Sequence, residues 1–496
     1  MLEIPRLTLS SAPPSAMLLP QGAPTAGIVH LGLGNFHRAH FAIYTAKAVR
    51  SEPGDWGIVG FSFRNPTISG AMNEQDNLYA VIDISPTSNE ALIPAIHTEV
   101  FAGLDKSQRI IELIADPKIK IVSLTITESG YQISQATNGL NFSHPDVVSD
   151  VSLDNSPKTA IGLIVRGLLR RLKESGGPIT ILSCDNLSHN GDVTKRLIQD
   201  FISQLPVEKA RLLEPYLESS VTFPNSMVDR IVPGTTDLHV EMVEKVLGIR
   251  DEVPVAAEPF AMWVLEDNFA GGRPKWESAG AIFTNEVSEY ETLKLRLLNG
   301  THSLLAYLGA LAGKETIPES RFHESIAAAA RKLIFNEYLP TLDLPHGLDV
   351  LHYIDQLFSR WSNTVLGDKT SRVGSDGSTK LPQRITEPVL FHCRNGEPPK
   401  LIALTVASYL ACIAPLHDFA PGIYADQMKD SARESLQSLA RSSHSTADFV
   451  AQVFTQSGIF GPELGELDMF IALVTKYLEE ISLEGIENAI ELALQD

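Results

Sequence analysis

Cysteine is scarce in this chain of 496 residues: there are three, Cys184, Cys393 and Cys412, at long and irregular spacing. An odd number so placed makes neither a disulfide framework nor a zinc ribbon, and a reducing, cytoplasmic setting is expected. Positive charge is in deficit. Forty basic residues against 60 acidic ones give a net charge of −20. A nucleic-acid partner needs a basic face for its phosphates, so none is expected. An anionic cofactor is not excluded, because a helix N-terminus can hold a phosphate locally. No uninterrupted apolar run approaches the roughly 20 residues that span a bilayer. The leading MLEIPRLTLSSAPPSAMLLPQGAP lacks a basic stretch followed by a long apolar core, so neither a membrane partner nor a secretory leader is expected. HExxH, GxSxG and Cys/His sets at ligand spacing are missing as well, and no metal site is expected. Cys184 follows an apolar run, where a core cysteine is the better reading than a nucleophile.

What is present reads as globular: 44% hydrophobic and 20% charged residues, in a length that suits two to four domains. Residues 27–31 (GIVHL) form an apolar run that ends in glycines, as a buried parallel strand does. Residues 36–50 read as a helix and 56–63 (WGIVGFSF) as a second strand. Strand, glycine turn, helix and strand make a right-handed βαβ unit. The pattern recurs with a helix at 108–115, a strand at 119–127, a helix at 159–174 and a strand at 178–184. Such alternation predicts an α/β domain with a mostly parallel sheet covered on both faces. From Tyr290 onward the chain reads as helices, with examples at 290–312, 321–336, 400–414, 429–440 and 465–482. No strong second sheet is visible. The polar stretch 367–377 (GDKTSRVGSDG) reads as an exposed turn. The expected division is 1–284 for the Rossmann-like dinucleotide-binding domain and 285–496 for a largely α-helical domain.

The first strand runs into Gly32-Leu-Gly34-Asn35-Phe36-His37-Arg38. Glycines at i and i+2 between a strand and a helix suit a dinucleotide: one allows a tight turn, the other lets backbone approach a pyrophosphate. The third glycine of the usual fingerprint is replaced by His37, and a tight turn without ligand has the same pattern. Gly32, Gly34, Asn35, Phe36 and Arg38 are the candidate cofactor contacts here. At the end of the second strand, where an acid would bind the ribose diol of NAD, stand Arg64 and Asn65. Arg64 suits a 2′-phosphate and Asn65 a free hydroxyl, so these residues leave coenzyme preference open; the expected cofactor is a nicotinamide dinucleotide, NAD with NADP possible.

In the stretch 290–313, a helical wheel at about 100° per residue sets His302 between Lys294 and Asn299. A lysine in an apolar cleft loses solvation of its charged form and becomes a usable base. Asn299 could then donate to a developing alkoxide and His302 orient a hydroxyl. The bland alternative is a solvated lysine, a kink at Asn299-Gly300 and a core histidine. Two polar clusters follow apolar segments: SCDNLSHN (183–190), with Asp185 and Asn186 placed either for a ligand beyond a strand end or as a helix cap, and FPNSMVDR (223–230), whose Asp229–Arg230 neighbours are more often structural.

These motifs together resemble the polyol-specific long-chain dehydrogenases, the family of mannitol 2-dehydrogenase and fructuronate reductase. The resemblance covers about residues 27–480, through GLGNFHRAH (32–40), SLTITESGY (123–131), SCDNLSHNG (183–191), FPNSMVDRIVP (223–233), EPFAMWVLEDNFAGGRP (258–274), KLRLLNGTHS (294–303) and SDGSTKLPQR (375–384). It implies a Rossmann-like domain followed by a helical one, an active site in the cleft between them, and hydride transfer without zinc. Lys294 would be the general acid/base. Asn186 and Asn299 would polarise the reacting oxygen, and His302 would help bind it. Asp229, Arg372 and Lys380 would line the polyol pocket, Glu291 would connect the lysine to solvent, and Glu128 would lie near the cofactor. Among family substrates, the LSHNG, FPNSMVDR and RVGSDGS forms lean towards D-mannitol and D-fructose, whereas KLPQR and LNGTHSLLAYLG lean towards the fructuronate reductases. D-arabinitol is a further alternative, and a non-catalytic nicotinamide-binding sensor is the alternative of another class. The expected partner is a small polyol or ketose, and the expected assembly a monomer or weak oligomer.

Overall fold

The apolar run after residue 25 forms the middle of a parallel sheet in the computed structural model, which describes residues 4–86, 89–134, 137–174, 176–416 and 418–495. Six strands make this sheet: β1 (Ala26–Leu31), β2 (Gly57–Ser62), β3 (His97–Ala102), β4 (Ile121–Leu124), β5 (Ile179–Ser183) and β6 (Val221–Thr222). Their order is β3-β2-β1-β4-β5-β6, every pairing parallel. The register sets Leu31 opposite Phe61 and Leu124, and Leu124 opposite Ser183, so the carboxyl ends finish level. The strands are apolar without alternation because both faces are covered. Helices Ser107–Ala115 and Ala160–Glu174 contribute Ile110, Ile114, Leu163, Ile164 and Leu168 to the core on one side. The strand order reverses between β1 and β4, and open α/β sheets bind ligands in the crevice outside such a point.

The chain divides into two compact units, Met1–Ser288 and Glu289–Asp496. The first also holds two small sheets that the sequence reading missed. Val81–Ile84 pairs with Val255–Ala257 and Asn89–Leu92; Met262–Leu265 pairs with Ser226–Asp229 and Ile282–Phe283. Strands of two to four residues carry too little periodicity to be recognised, and their partners are distant in sequence. The helix expected over 36–50 is two helices, Asn35–Ala39 and Phe41–Ser51, because the His40 backbone leaves helical geometry (φ −115°, ψ −81°) while its ring reaches the Met262 carbonyl.

The second unit is helical. Lys400–Ile413 (KLIALTVASYLACI) is apolar almost all round and buried from Leu401 onward, as a central helix must be. Asp468–Glu484 and Thr301–Leu311 pack on it. The orphan N–H groups at its start are taken by the buried Glu337 carboxylate, which accepts from Leu401 N at 2.7 Å and Ile402 N at 2.8 Å. The stretch 367–377 is not simply an exposed turn: Thr370–Val373 is helical, with Thr370 and Ser371 buried, and Thr370 Oγ1 donates to the Lys314 carbonyl at 2.9 Å. No helix among the described residues is long and apolar enough to cross a membrane.

Candidate active site

At the switch point the first unit opens into a cavity of about 680 Å³ lined by the Gly32–Leu33–Gly34 turn, the end of β2 (Ser62 to Asn65), the end of β4 (Thr125 to Thr127) and Lys158 to Ala160. Gly32 has φ +111°, and a Cβ there would stand 2.0 Å from the Thr125 carbonyl oxygen, so no other residue fits. Beneath it a buried network fixes the turn. His30 bonds Ser123 Oγ at 2.8 Å through Nδ1 and Thr125 Oγ1 at 2.9 Å through Nε2, and Thr125 Oγ1 donates to the Gly32 carbonyl at 2.8 Å. Burial lowers the His30 pKa to about 3, so its ring is neutral. A Cβ built on Gly34 meets only the Gly32 carbonyl, 3.9 Å away. The turn therefore has open space for a group that approaches backbone closely.

Arg64 and Asn65 lie exposed on the cavity rim. Asn65 Oδ1 accepts from Thr67 N at 2.9 Å, at the start of helix Thr67–Asn73; Arg64 has no ion-pair partner among the described residues. Arg38 corrects the sequence reading. It is fully buried, donating to the Val253 carbonyl and to Asn35 Oδ1 at 2.7 Å, with its guanidinium 5.2 Å from the Tyr79 ring centroid. It holds the fold and does not line the cavity. Asn35 and Phe36 are also off the lining: Asn35 Nδ2 donates to the Pro233 carbonyl and Phe36 stacks on His40. Glu128 is exposed and outside the lining, although its neighbours Thr127 and Ser129 belong to it.

The loop after β5 is built around Asp185. Its buried carboxylate accepts from Ile126 N and Thr127 N, each at 2.9 Å, and from the Tyr131 hydroxyl at 2.8 Å. Burial pushes its pKa up, against these donors. The bonds hold Thr127 at φ +64°, a region a β-branched residue rarely adopts. Asn186 follows in the bend, exposed. Asn190, buried, pins the bend by donating to the Asp185 and Ser226 carbonyls at 3.1 and 2.8 Å. Asp229 is buried at the end of Ser226–Asp229. The neighbouring Arg230 is engaged by Asp83 and by the carbonyls of Glu258 and Ala39.

In the second unit, Lys294–Gly300 is a π-helical turn between α-helical segments Val287–Leu293 and Thr301–Leu311. This corrects the wheel: i→i+5 bonding advances each residue by less than the α-helical 100°. Asn299, five residues after Lys294, comes round to the lysine's face. Lys294, Asn299 and His302 are partly buried. The His302 pKa is lowered to about 4, chiefly by burial; Arg384, Arg360 and Arg372 push the same way and Asp368 opposes them. Arg372 pairs with Asp368 and its side chain stays 64% exposed. Lys380 donates to the Ser375 carbonyl at 2.7 Å, and burial lowers its pKa, with Arg384 and Arg372 adding to the effect. Glu291 is partly buried, one turn before Lys294. No group of three or more metal-ligating side chains occurs among the described residues.

Sequence reasoning missed Asn190 and Arg384. Both lay inside quoted motifs. Arg384 stands four residues after Lys380 on helix Gly377–Arg394, a spacing that shares a face, but its hydrogen-bond partners come from the distant 299–303 segment and leave no sequence signal.

Comparison with known proteins bears on the whole chain. Residues 26–278 match the mannitol dehydrogenase Rossmann domain and 286–482 the mannitol dehydrogenase C-terminal domain. The chain is 36% identical to D-mannonate oxidoreductase of Escherichia coli (strain K12), over 93% of this chain and 94% of that protein. It is 34% identical to mannitol 2-dehydrogenase of Aspergillus terreus, over 93% of this chain and 91% of the relative. The structure of Pseudomonas fluorescens mannitol 2-dehydrogenase, a ternary complex with NAD and D-mannitol, superposes with a TM-score of 0.84 at 31% identity and 99% coverage of both chains. With both units matched in order and such relatives matched over nearly their full length, the chain belongs to the mannitol dehydrogenase family of oxidoreductases.

Proposed function

We propose that the protein transfers a hydride between NAD and a secondary alcohol of a linear polyol, with D-mannitol and D-fructose as the pair and Lys294 as general acid/base. The observation that carries this reading is the π turn, which brings Lys294 and Asn299 to one helix face, with His302 neutral beside them. The cofactor reading rests on the switch-point cavity, the open space over Gly34 and the tight Gly32 turn, which together fit a pyrophosphate against backbone N–H groups. NAD, when bound, accepts the hydride in oxidation and returns it in reduction. Gly32 and Gly34 hold its pyrophosphate, and Arg64 and Asn65 its ribose; Arg64 also suits the 2′-phosphate of NADP.

Lys294 takes the hydroxyl proton at Nζ during oxidation and gives it back during reduction. Asn186 and Asn299 donate amide N–H groups to the reacting oxygen, where negative charge develops. His302 orients that oxygen as a neutral ring. Asp229, Arg372 and Lys380 bind the remaining substrate oxygens, and Glu291 passes the lysine's proton to solvent. No zinc takes part. A second reading, D-mannonate with D-fructuronate, is favoured by the 36% identity to a D-mannonate oxidoreductase and by the cations Arg372 and Lys380, which suit a carboxylate.

The test is reduced-nicotinamide absorbance with D-mannitol, D-arabinitol and D-mannonate, each with NAD and NADP, before and after dialysis against EDTA. D-Mannitol with NAD is expected to react fastest and EDTA to leave the rate intact. A dominant D-mannonate rate selects the second reading; no turnover with any of the three, while nicotinamide binds, selects a sensor.

A further inference from the structure

The Arg384 guanidinium is largely buried, and no carboxylate pairs with it among the described residues. A buried charge without a counterion is costly unless neutral groups satisfy it well. Its Nη1 donates to the Asn299 carbonyl at 2.9 Å and to Ser303 Oγ at 2.7 Å. Both partners lie where the i→i+5 ladder of Lys294–Gly300 gives way to the i→i+4 ladder of Thr301–Leu311. The same turn is braced elsewhere. Arg296 donates to the Thr341 carbonyl and to Thr341 Oγ1 at 2.9 Å. Tyr338 packs so closely on Gly300 that a Cβ there would stand 2.5 Å from its hydroxyl.

A π turn amounts to one residue inserted in an α-helix, so its relaxation would rotate the residues on one side by about 100° relative to those on the other. Lys294 begins the wide turn and His302 lies beyond it. A charged donor on the Asn299 carbonyl fixes that peptide plane, and with it the direction of the Asn299 side chain. We propose that Arg384 is a positioning residue: it holds the Asn299 peptide at the end of the π turn and so sets Asn299 and Lys294 for the reacting oxygen. This rests on the roles given above to Asn299 and Lys294.

The test compares Arg384→Met, which keeps the volume of the stem and loses both hydrogen bonds, with Asn299→Ala and the double variant. Arg384→Met is expected to lower kcat about ten- to a hundredfold, the scale of a misplaced catalytic group, while NADH affinity changes less than about twofold. Asn299→Ala keeps the backbone carbonyl that Arg384 holds, so the double variant is expected to be slower than Asn299→Ala, but by less than Arg384→Met is slower than the wild type, since residues that act through one another are not additive. Arg384→Lys keeps one donor and should recover part of the rate. A folded Arg384→Met with wild-type kcat beside an impaired Asn299→Ala would overturn the inference, as would fully additive losses. An Asn299→Ala variant with wild-type kcat would instead overturn the reading on which it rests. If Arg384→Met does not fold, Arg384→Lys decides: one ammonium cannot reproduce the geometry of the fork, so kcat should fall about three- to tenfold, and an unchanged kcat contradicts the proposal.

Discussion

His302 and Arg372 show at the scale of single residues how environment divides labour. Burial and three arginines hold the His302 pKa at about 4, so the ring stays neutral through the physiological range and can donate or accept a hydrogen bond but does not titrate there. Arg372, in the same electrostatic neighbourhood, keeps an exposed guanidinium tethered to Asp368. A tethered but accessible cation suits recognition of substrate oxygens. Arg372→Ala should therefore raise the substrate KM about tenfold or more, the size of a lost charged hydrogen bond, and leave NADH binding nearly unchanged. A fluorescence titration in which NADH affinity collapses would assign Arg372 to the cofactor instead.

At the scale of elements, what was legible followed local pattern. β1, the glycine turn and β2 announced themselves because buried parallel strands are uninterrupted apolar runs and the turn needs glycine at one position. The long apolar helices of the second unit were equally plain. Hidden features were those fixed by distant partners: the break at His40, imposed with a contact to Met262; the short strands of the small sheets; and the π turn, braced by Thr341, Tyr338 and Arg384. The polar residues proposed for the site came from motif alone, and motif does not separate roles: a basic residue beside a glycine turn, such as Arg38, looks the same whether it faces a cavity or Val253. The glycine turn offers a direct check. Gly32→Ala would need a Cβ inside the Thr125 carbonyl at a positive φ, so NADH affinity should fall at least about tenfold and Tm by several degrees. Unchanged NADH binding in this variant would detach the turn from the cofactor.

For the whole molecule, stability should carry a pH signature from Glu337. Burial pushes its pKa from 4.5 up to about 7, against the helix N–H groups that oppose the shift. A carboxyl whose pKa is raised by folding favours the folded state while protonated. That contribution is present below about pH 4.5 and is lost as pH rises through about 7, because the native state then holds the extra proton less and less. Its size is on the order of 3 kcal/mol at one pKa unit per 1.36 kcal/mol. Glu337→Gln cannot ionise, so its Tm relative to the wild type should climb between about pH 5 and pH 8; a constant difference across that range would show that the carboxyl is not strained by burial. The central claim, that Lys294 moves the proton in a nicotinamide-dependent alcohol oxidation, is tested most directly by the pH dependence of kcat/KM for wild type and Lys294→Ala in both directions. In the wild type, oxidation should rise towards alkaline pH, where the amine is free to accept a proton, and reduction should fall over the same range. Lys294→Ala should lose about two to four decades of rate together with the inflection, since His302 is already neutral. An inflection that persists unchanged in Lys294→Ala, or a rate near that of the wild type, would contradict the account.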